Sequence, residues 1–200
     1  MEDVKMKKIA YLAATAAALV AANAHAKTFN GPFIGAQGGW EENSVNNPST
    51  GVGPTNLYGT GDTGTLGVFV GQDYRILKNF VIGGQAEVNF PINSHITDGT
   101  TTVDPKRSVD LSLRAGYVLR DKTLLYVRGG YSNVRASTII NAETPIYVSG
   151  SQNGWMLGGG IEQYVTKHIT GRMEYRYTNL SEGAGKFDRH QLLLGVAYHF

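Results

Sequence analysis

Apolar and polar residues alternate with a period of two along most of the chain, in eight separate runs. The runs cover residues 33–41, 65–75, 80–90, 108–120, 123–134, 154–165, 169–180 and a last one ending at Phe200. Period-two alternation marks a strand whose two faces meet different surroundings. In the last run Leu192, Leu194, Val196, Tyr198 and Phe200 share one face, while Gln191, Leu193, Gly195, Ala197 and His199 share the other. It stays apolar to Phe200, so it is expected to be paired in a sheet through its end. The links alternate as well. Long polar stretches lie at 42–63, 91–106, 135–153 and 181–188, and short ones at 76–79, 121–122 and 166–168. This rhythm predicts an eight-stranded, all-β, up-and-down antiparallel sheet with every long loop at one end.

Alternation alone leaves two barrels open: a soluble lipocalin-like cup, apolar inside, or a transmembrane barrel, apolar outside. Three features favour the second. Lys27, Lys78, Lys106, Lys122, Lys167 and Lys186 all lie outside the runs. The cations within or beside them are arginines 75, 114, 120, 128, 172, 176 and 189, whose planar forks suit enclosed pairing with carboxylates. These seven arginines and six acids (Glu41, Asp73, Glu87, Asp110, Glu162, Glu174) all fall on the less apolar face and nearly cancel. A closed lumen needs that balance, because an unpaired buried charge is costly. Finally, glycines 67, 71, 83, 116, 130, 158, 160 and 195 share the same face. Glycine weakens a strand, but inside a narrow barrel it leaves room for long side chains. Aromatic residues gather toward the run ends on the apolar face, as interfacial girdles do.

The first 26 residues stand apart. Lys5, Lys7 and Lys8 precede an alanine-rich apolar run over 9–22, and Ala24-His25-Ala26 has the small-x-small form of a cleavage site. This is the pattern of a secretory signal peptide cut after Ala26, with Met1 or Met6 as the start. The rest, 27–200, is expected to be one barrel domain. The chain holds 18 Lys+Arg against 16 Asp+Glu, and removal of residues 1–26 leaves a net charge of +1. That gives no electrostatic case for a nucleic-acid partner. With no cysteine, neither a disulfide framework nor a cysteine-borne lipid anchor is available.

The runs at 154–164 (Gly-Trp-Met-Leu-Gly-Gly-Gly-Ile-Glu-Gln-Tyr) and 173–180 (Met-Glu-Tyr-Arg-Tyr-Thr-Asn-Leu), together with the terminal strand, resemble the small outer-membrane β-barrels of Gram-negative bacteria, of the OmpA-barrel and opacity-protein type often labelled porin family. The resemblance covers nearly all of 27–200. It implies an outer-membrane location, contact with membrane lipid, and a C-terminal signal in Tyr198 and Phe200 that the barrel-assembly machinery reads. Members serve as structural proteins, adhesins, ligand binders or small channels, so the resemblance implies a fold more sharply than a role.

Four candidate sites follow. Glu87, Arg114, Arg128, Glu162, Arg172 and Glu174 lie near mid-strand and are expected to form a charge network in the lumen, structural or gating. An eight-stranded barrel is only just wide enough for its own side chains, so free passage of solutes is not expected. The four long loops are the second candidate, for host or small-ligand contact. Histidines 95, 168, 190 and 199 are scattered, without metal spacing, so neither a metal site nor a cofactor is expected. Ser94-His95 and Asp188-Arg189-His190 are the only near approaches to a catalytic set and match no motif of the barrel enzymes, so no enzymatic activity is expected. The reading is an envelope barrel with a structural and surface-presentation role. A narrow gated pore and a periplasmic lipocalin-like carrier are the alternatives.

Overall fold

The computed structural model describes residues 28–46, 58–92, 96–98, 101–140, 146–180 and 186–200. The signal segment with Ala24 and Ala26, both start methionines, Ser94, His95 and the loop tips lie outside the described residues. Nine strands are present among the described residues: β1 (Gly31–Asn46), β2 (Tyr58–Arg75), β3 (Phe80–Ile92), β4 (Ile96–Asp98), β5 (Thr101–Leu119), β6 (Thr123–Ile140), β7 (Ile146–Tyr164), β8 (Ile169–Asn179) and β9 (Lys186–His199). Eight of them close into an antiparallel barrel in the order β1-β2-β3-β5-β6-β7-β8-β9. The first and last strands seal it, from Phe33 opposite His199 to Asn46 opposite Lys186. The short β4 pairs with β5 beside the barrel rim.

The strands run further than alternation suggests. Residues 135–153 read as a long loop, yet β6 and β7 pair as far as Ile140 opposite Ile146. Thr138, Ile139, Ile140, Tyr147 and Val148 favour extended backbone, and the polar residues among them hide the period. β5, β6 and β7 reach 19, 18 and 19 residues, where about 9–11 cross a bilayer. One end of the wall therefore stands well clear of any membrane it spans. At the other end the links are tight. Arg120 and Asp121 have φ of 50° and 57°, the left-handed conformations that two-stranded hairpins favour. Arg120 is therefore an exposed turn residue, not an inward strand charge as its parity suggested. Arg75 also sits at this rim, where it meets the exposed Asp121 at 3.1 Å.

The wall is apolar outside and polar inside. Leu66, Val68, Leu111, Leu113, Val127, Leu157, Leu194 and Val196 are exposed, whereas Asp73, Asp110, Glu162 and Arg176 are fully buried. This excludes the soluble cup. Across β5, β6 and β7 the outer face forms rows of register neighbours: Leu111, Tyr131 and Trp155, then Leu113, Gly129 and Leu157, then Ala115, Val127 and Gly159, then Tyr117, Leu125 and Ile161. Aromatic rings bracket an aliphatic band, the girdle arrangement of a membrane barrel. Near the tight-turn end Phe80 packs edge-on against Tyr117 at 5.1 Å, and Tyr198 against Phe200 at 5.0 Å.

Candidate functional site

The lumen is filled in layers. Its base, at the tight-turn end, is apolar, which the inward parity did not suggest. Phe29, Val81, Val118, Leu124 and Tyr126 pack together, with Tyr164 against them. Phe29 precedes the alternating runs, so no periodicity marked it. Its φ of 56° folds the chain inward, and its amide donates to the Tyr164 hydroxyl at 3.3 Å.

Above this base lies the first ion cluster. Arg114 donates from Nε to Asp73 Oδ1 at 2.8 Å and through a second nitrogen to Asp73 Oδ2. It also donates to Glu162 Oε2 at 2.8 Å. The other oxygen of Glu162 accepts from Thr170 at 2.7 Å and lies 2.9 Å from His199 Nε2. Phe33 lies 4.4 Å from the Arg114 guanidinium carbon and stacks on His199 at 5.3 Å.

The second cluster holds two arginines and two glutamates. Arg128 donates to Glu87 Oε2 and Glu174 Oε1 at 3.1 Å each. Arg176 also bonds Glu87, and it meets Glu174 Oε1 at 2.6 Å. Asp110 lies 3.6 Å from the same guanidinium. Tyr126 donates to Glu174 at 2.7 Å, and Gln85 and Asn89 donate to Glu87 at 2.7 and 3.0 Å. β3 and β8 face each other across the barrel, four strands apart either way round. The Arg176–Glu87 pair therefore spans the full lumen diameter.

Arg172 differs from the other five mid-strand candidates. No carboxylate lies within ion-pair distance of it among the described residues. Glu162 stands opposite it in register but is taken up by Arg114 and His199. Arg172 instead donates to the amide oxygens of Gln85, at 2.9 Å, and Gln37. Its guanidinium carbon lies 3.5 Å from the centre of the Phe69 ring, a cation–π contact. Near the mouth, Arg189 reaches Ser132 at 3.3 Å and Asp110 at 3.9 Å, and Glu41 accepts from Gln191 at 2.9 Å and Asn43 at 3.2 Å.

Glycine makes these bonds possible. In four places a hydrogen bond passes over a glycine on the strand between its two partners. Asp73, Gly83 and Arg114 are register neighbours on successive strands, as are Gln37, Gly67 and Asn89. Tyr126, Gly160 and Glu174 repeat the pattern, and so do Gln37, Gly195 and Arg172. A Cβ on Gly83 would lie 2.2 Å from Asp73 Oδ1, and one on Gly160 2.8 Å from the Tyr126 hydroxyl. The register also explains why the mid-strand criterion left out Asp73, Asp110 and Arg176. Barrel strands tilt, so residues at one height occupy different positions along their strands. Asp73, near the end of β2, is in register, through Gly83, with Arg114 in the middle of β5.

The remaining candidates are not gathered. His168 is exposed and stacks on Tyr198 at 5.6 Å. Asp188 accepts from Tyr177 at 2.7 Å, and His190 Nδ1 lies 2.8 Å from the Tyr175 hydroxyl. No serine joins them in these bonds.

Comparison with known proteins agrees with this architecture. The family model described as "Outer membrane protein beta-barrel domain" matches residues 12–200. The 25 kDa outer-membrane immunogenic protein of Brucella ovis is 28% identical over 143 residues, covering 70% of this chain and 65% of its own. Outer membrane protein A of Escherichia coli O157:H7 is 28% identical over 200 residues, covering 98% of this chain and 55% of its own. The chain thus spans less than two thirds of both relatives. Among solved structures, Neisserial surface protein A superposes with a TM-score of 0.57 at 16% identity, covering 84% of this chain and 97% of its own. Ail of Yersinia pestis, solved with the heparin analogue sucrose octasulfate, gives 0.52 at 14% identity, covering 84% and 99%. Those two likenesses concern the fold. The chain belongs to the outer-membrane protein β-barrel domain family and is a protein of the bacterial outer membrane.

Proposed function

We propose that this barrel is a closed, non-conducting scaffold of the outer membrane that presents its long-loop end to the surroundings. The observation that carries this is the filled cross-section. Six carboxylates (Glu41, Asp73, Glu87, Asp110, Glu162, Glu174) and five arginines (114, 128, 172, 176, 189) are each no more than 5% exposed. Pairs that span the diameter, such as Arg176–Glu87, and the apolar base below them support a closed column. Planar-bilayer recording of the refolded protein tests it: a silent trace is expected, and resolved unitary openings overturn it.

A gated pore is the second reading, favoured by one detail. Glu87 and Glu174 each contact both Arg128 and Arg176, so a carboxylate can exchange one guanidinium for the other. If such exchange opens the lumen, Arg114→Ala and Glu87→Ala change conductance. Identical traces for wild type and both variants sink the gate.

The loops supply the presentation half of the proposal. One relative is named as immunogenic and one structural neighbour was solved with a heparin analogue. These properties belong to those proteins, and they make antibody accessibility on whole cells and sulfated-glycan binding the first assays for this chain. The terminal strand is proposed as the contact for the barrel-assembly machinery. Tyr198 and Phe200 face outward at the tight-turn rim, 44% and 46% exposed. Deletion of Phe200 is expected to lower outer-membrane levels, and unchanged levels overturn that role.

A further inference from the structure

Above the aromatic row on β5, β6 and β7, the outer wall changes character in two steps. The next row up is Val109, Asn133 and Asn153, and the one beyond is Arg107, Arg135 and Ser151. Arg107 and Arg135 are directly opposite one another in register, and both are exposed. Neither has a carboxylate within ion-pair distance among the described residues, in contrast to Arg114, Arg128 and Arg176 inside the lumen. Like charges facing each other across a strand pair are destabilising. A register irregularity falls between Pro105 and Arg107, the kind of bulge that re-aims side chains. Among the described side chains no carboxylate offsets this repulsion, and a ligand that brings negative charge would.

Height identifies the ligand. Tyr131 and Trp155, 52% and 54% exposed, mark the membrane interface on this side. The arginine row is four residues higher, roughly 13 Å along the strand or about 10 Å vertically at the usual tilt. Arginine side chains that bend toward the membrane place their guanidinium groups in the headgroup layer. Guanidinium forks match phosphate oxygens in charge and shape. We propose that Arg107 and Arg135 clamp one phosphate of an anionic lipid headgroup in the outer leaflet. The lipid's apolar part lies against Tyr131, Trp155 and Leu111 below.

The test uses the full barrel in phosphatidylcholine nanodiscs containing either diphosphorylated lipid A or its dephosphorylated form, with bound lipid read by native mass spectrometry. Wild type is expected to retain the phosphorylated form about ten-fold better. The Arg107→Gln/Arg135→Gln double variant should lose that preference, and Lys122→Gln, at the opposite end, should keep it. Heat-dependent gel mobility verifies folding, and the two single variants, each expected to weaken the preference, replace the double variant if it fails to fold. Equal retention of both lipids by wild type overturns the proposal. So does a preference that survives in the double variant, or in both single variants where they replace it. A double variant that loses only binding of sucrose octasulfate in detergent would assign the pair to a soluble polyanion, which also overturns it.

Discussion

Gly83 and Gly84 are adjacent in β3 and face opposite sides of the same wall. A Cβ on Gly83 would lie 2.2 Å from Asp73 Oδ1 and 2.7 Å from the carbonyl oxygen of Gln72. A Cβ on Gly84 would meet nothing closer than 3.9 Å, a methyl of Leu113 and the carbonyl oxygen of Ser112. One glycine is a gap that lets Arg114 cross to Asp73. The other sits on the lipid face with space to spare. The inner surface is a fitted polar solid in which side-chain size and charge at each position depend on the neighbours. The outer surface needs only to be apolar, with rings at its borders. Substitutions inside should therefore be read out as lost pairing or overpacking, and substitutions outside as small propensity effects.

The largest effect is expected where the inner surface loses charge. Glu87 accepts from Arg128, Arg176, Gln85 and Asn89. Glu87→Ala leaves two buried guanidinium groups short of a carboxylate, at a cost of about 3–5 kcal/mol. Urea unfolding in phospholipid vesicles, followed by the fluorescence of Trp40 and Trp155, measures it. A loss below roughly 1 kcal/mol would mean that the cluster is solvated like a surface pair and that inside and outside do not differ in this way.

Next comes overpacking. Gly83→Ala is expected to cost about 1–3 kcal/mol, because the Gln72 carbonyl oxygen belongs to the backbone and cannot swing aside. The Arg114–Asp73 bonds should stretch with it. Unchanged stability would show that the strand shifts freely, and the glycine bridges would then be incidental to the network.

The same contrast decides what could be read from sequence. The outer face was legible almost residue by residue, since lipid imposes a single rule on it and Leu66, Val68, Val127 and Leu194 obey that rule locally. The inward face was legible only as parity. Glu87, Arg114, Arg128, Glu162, Arg172 and Glu174 are all buried in the lumen. Which of them touch depends on tilt and register, properties of strand pairs and not of any one strand. Asp73 joins Arg114 across Gly83, and Arg172 meets no carboxylate among the described residues while Glu162, opposite it, is engaged by Arg114 and His199. Phe29 was invisible for another reason: it closes the lumen from outside the strands, through a turn conformation that alternation cannot register. A search for inward glycines flanked across both strand pairs by polar residues would have recovered several of these contacts.

The smallest effect tests the comparison from the other side. Gly84→Ala adds a methyl group where the nearest atom is 3.9 Å away, against Leu113, which is itself 74% exposed. Alanine restricts the unfolded chain more than glycine and suits a strand interior better, by roughly 0.5–1 kcal/mol. No inward side chain is disturbed, because the Cβ points away from the lumen. Gly84→Ala is therefore expected to leave stability unchanged or raise it by up to that amount, in the same vesicles and with the same probe as Gly83→Ala. The sign carries the argument. Opposite responses from two consecutive glycines cannot come from a general intolerance of β3 to substitution, since both positions share that strand and its pairing with β2 and β5. They can come only from the side of the wall each residue faces. Should Gly84→Ala destabilise as much as Gly83→Ala, the backbone flexibility of β3 would be the property that matters, and the space beneath Arg114 would not.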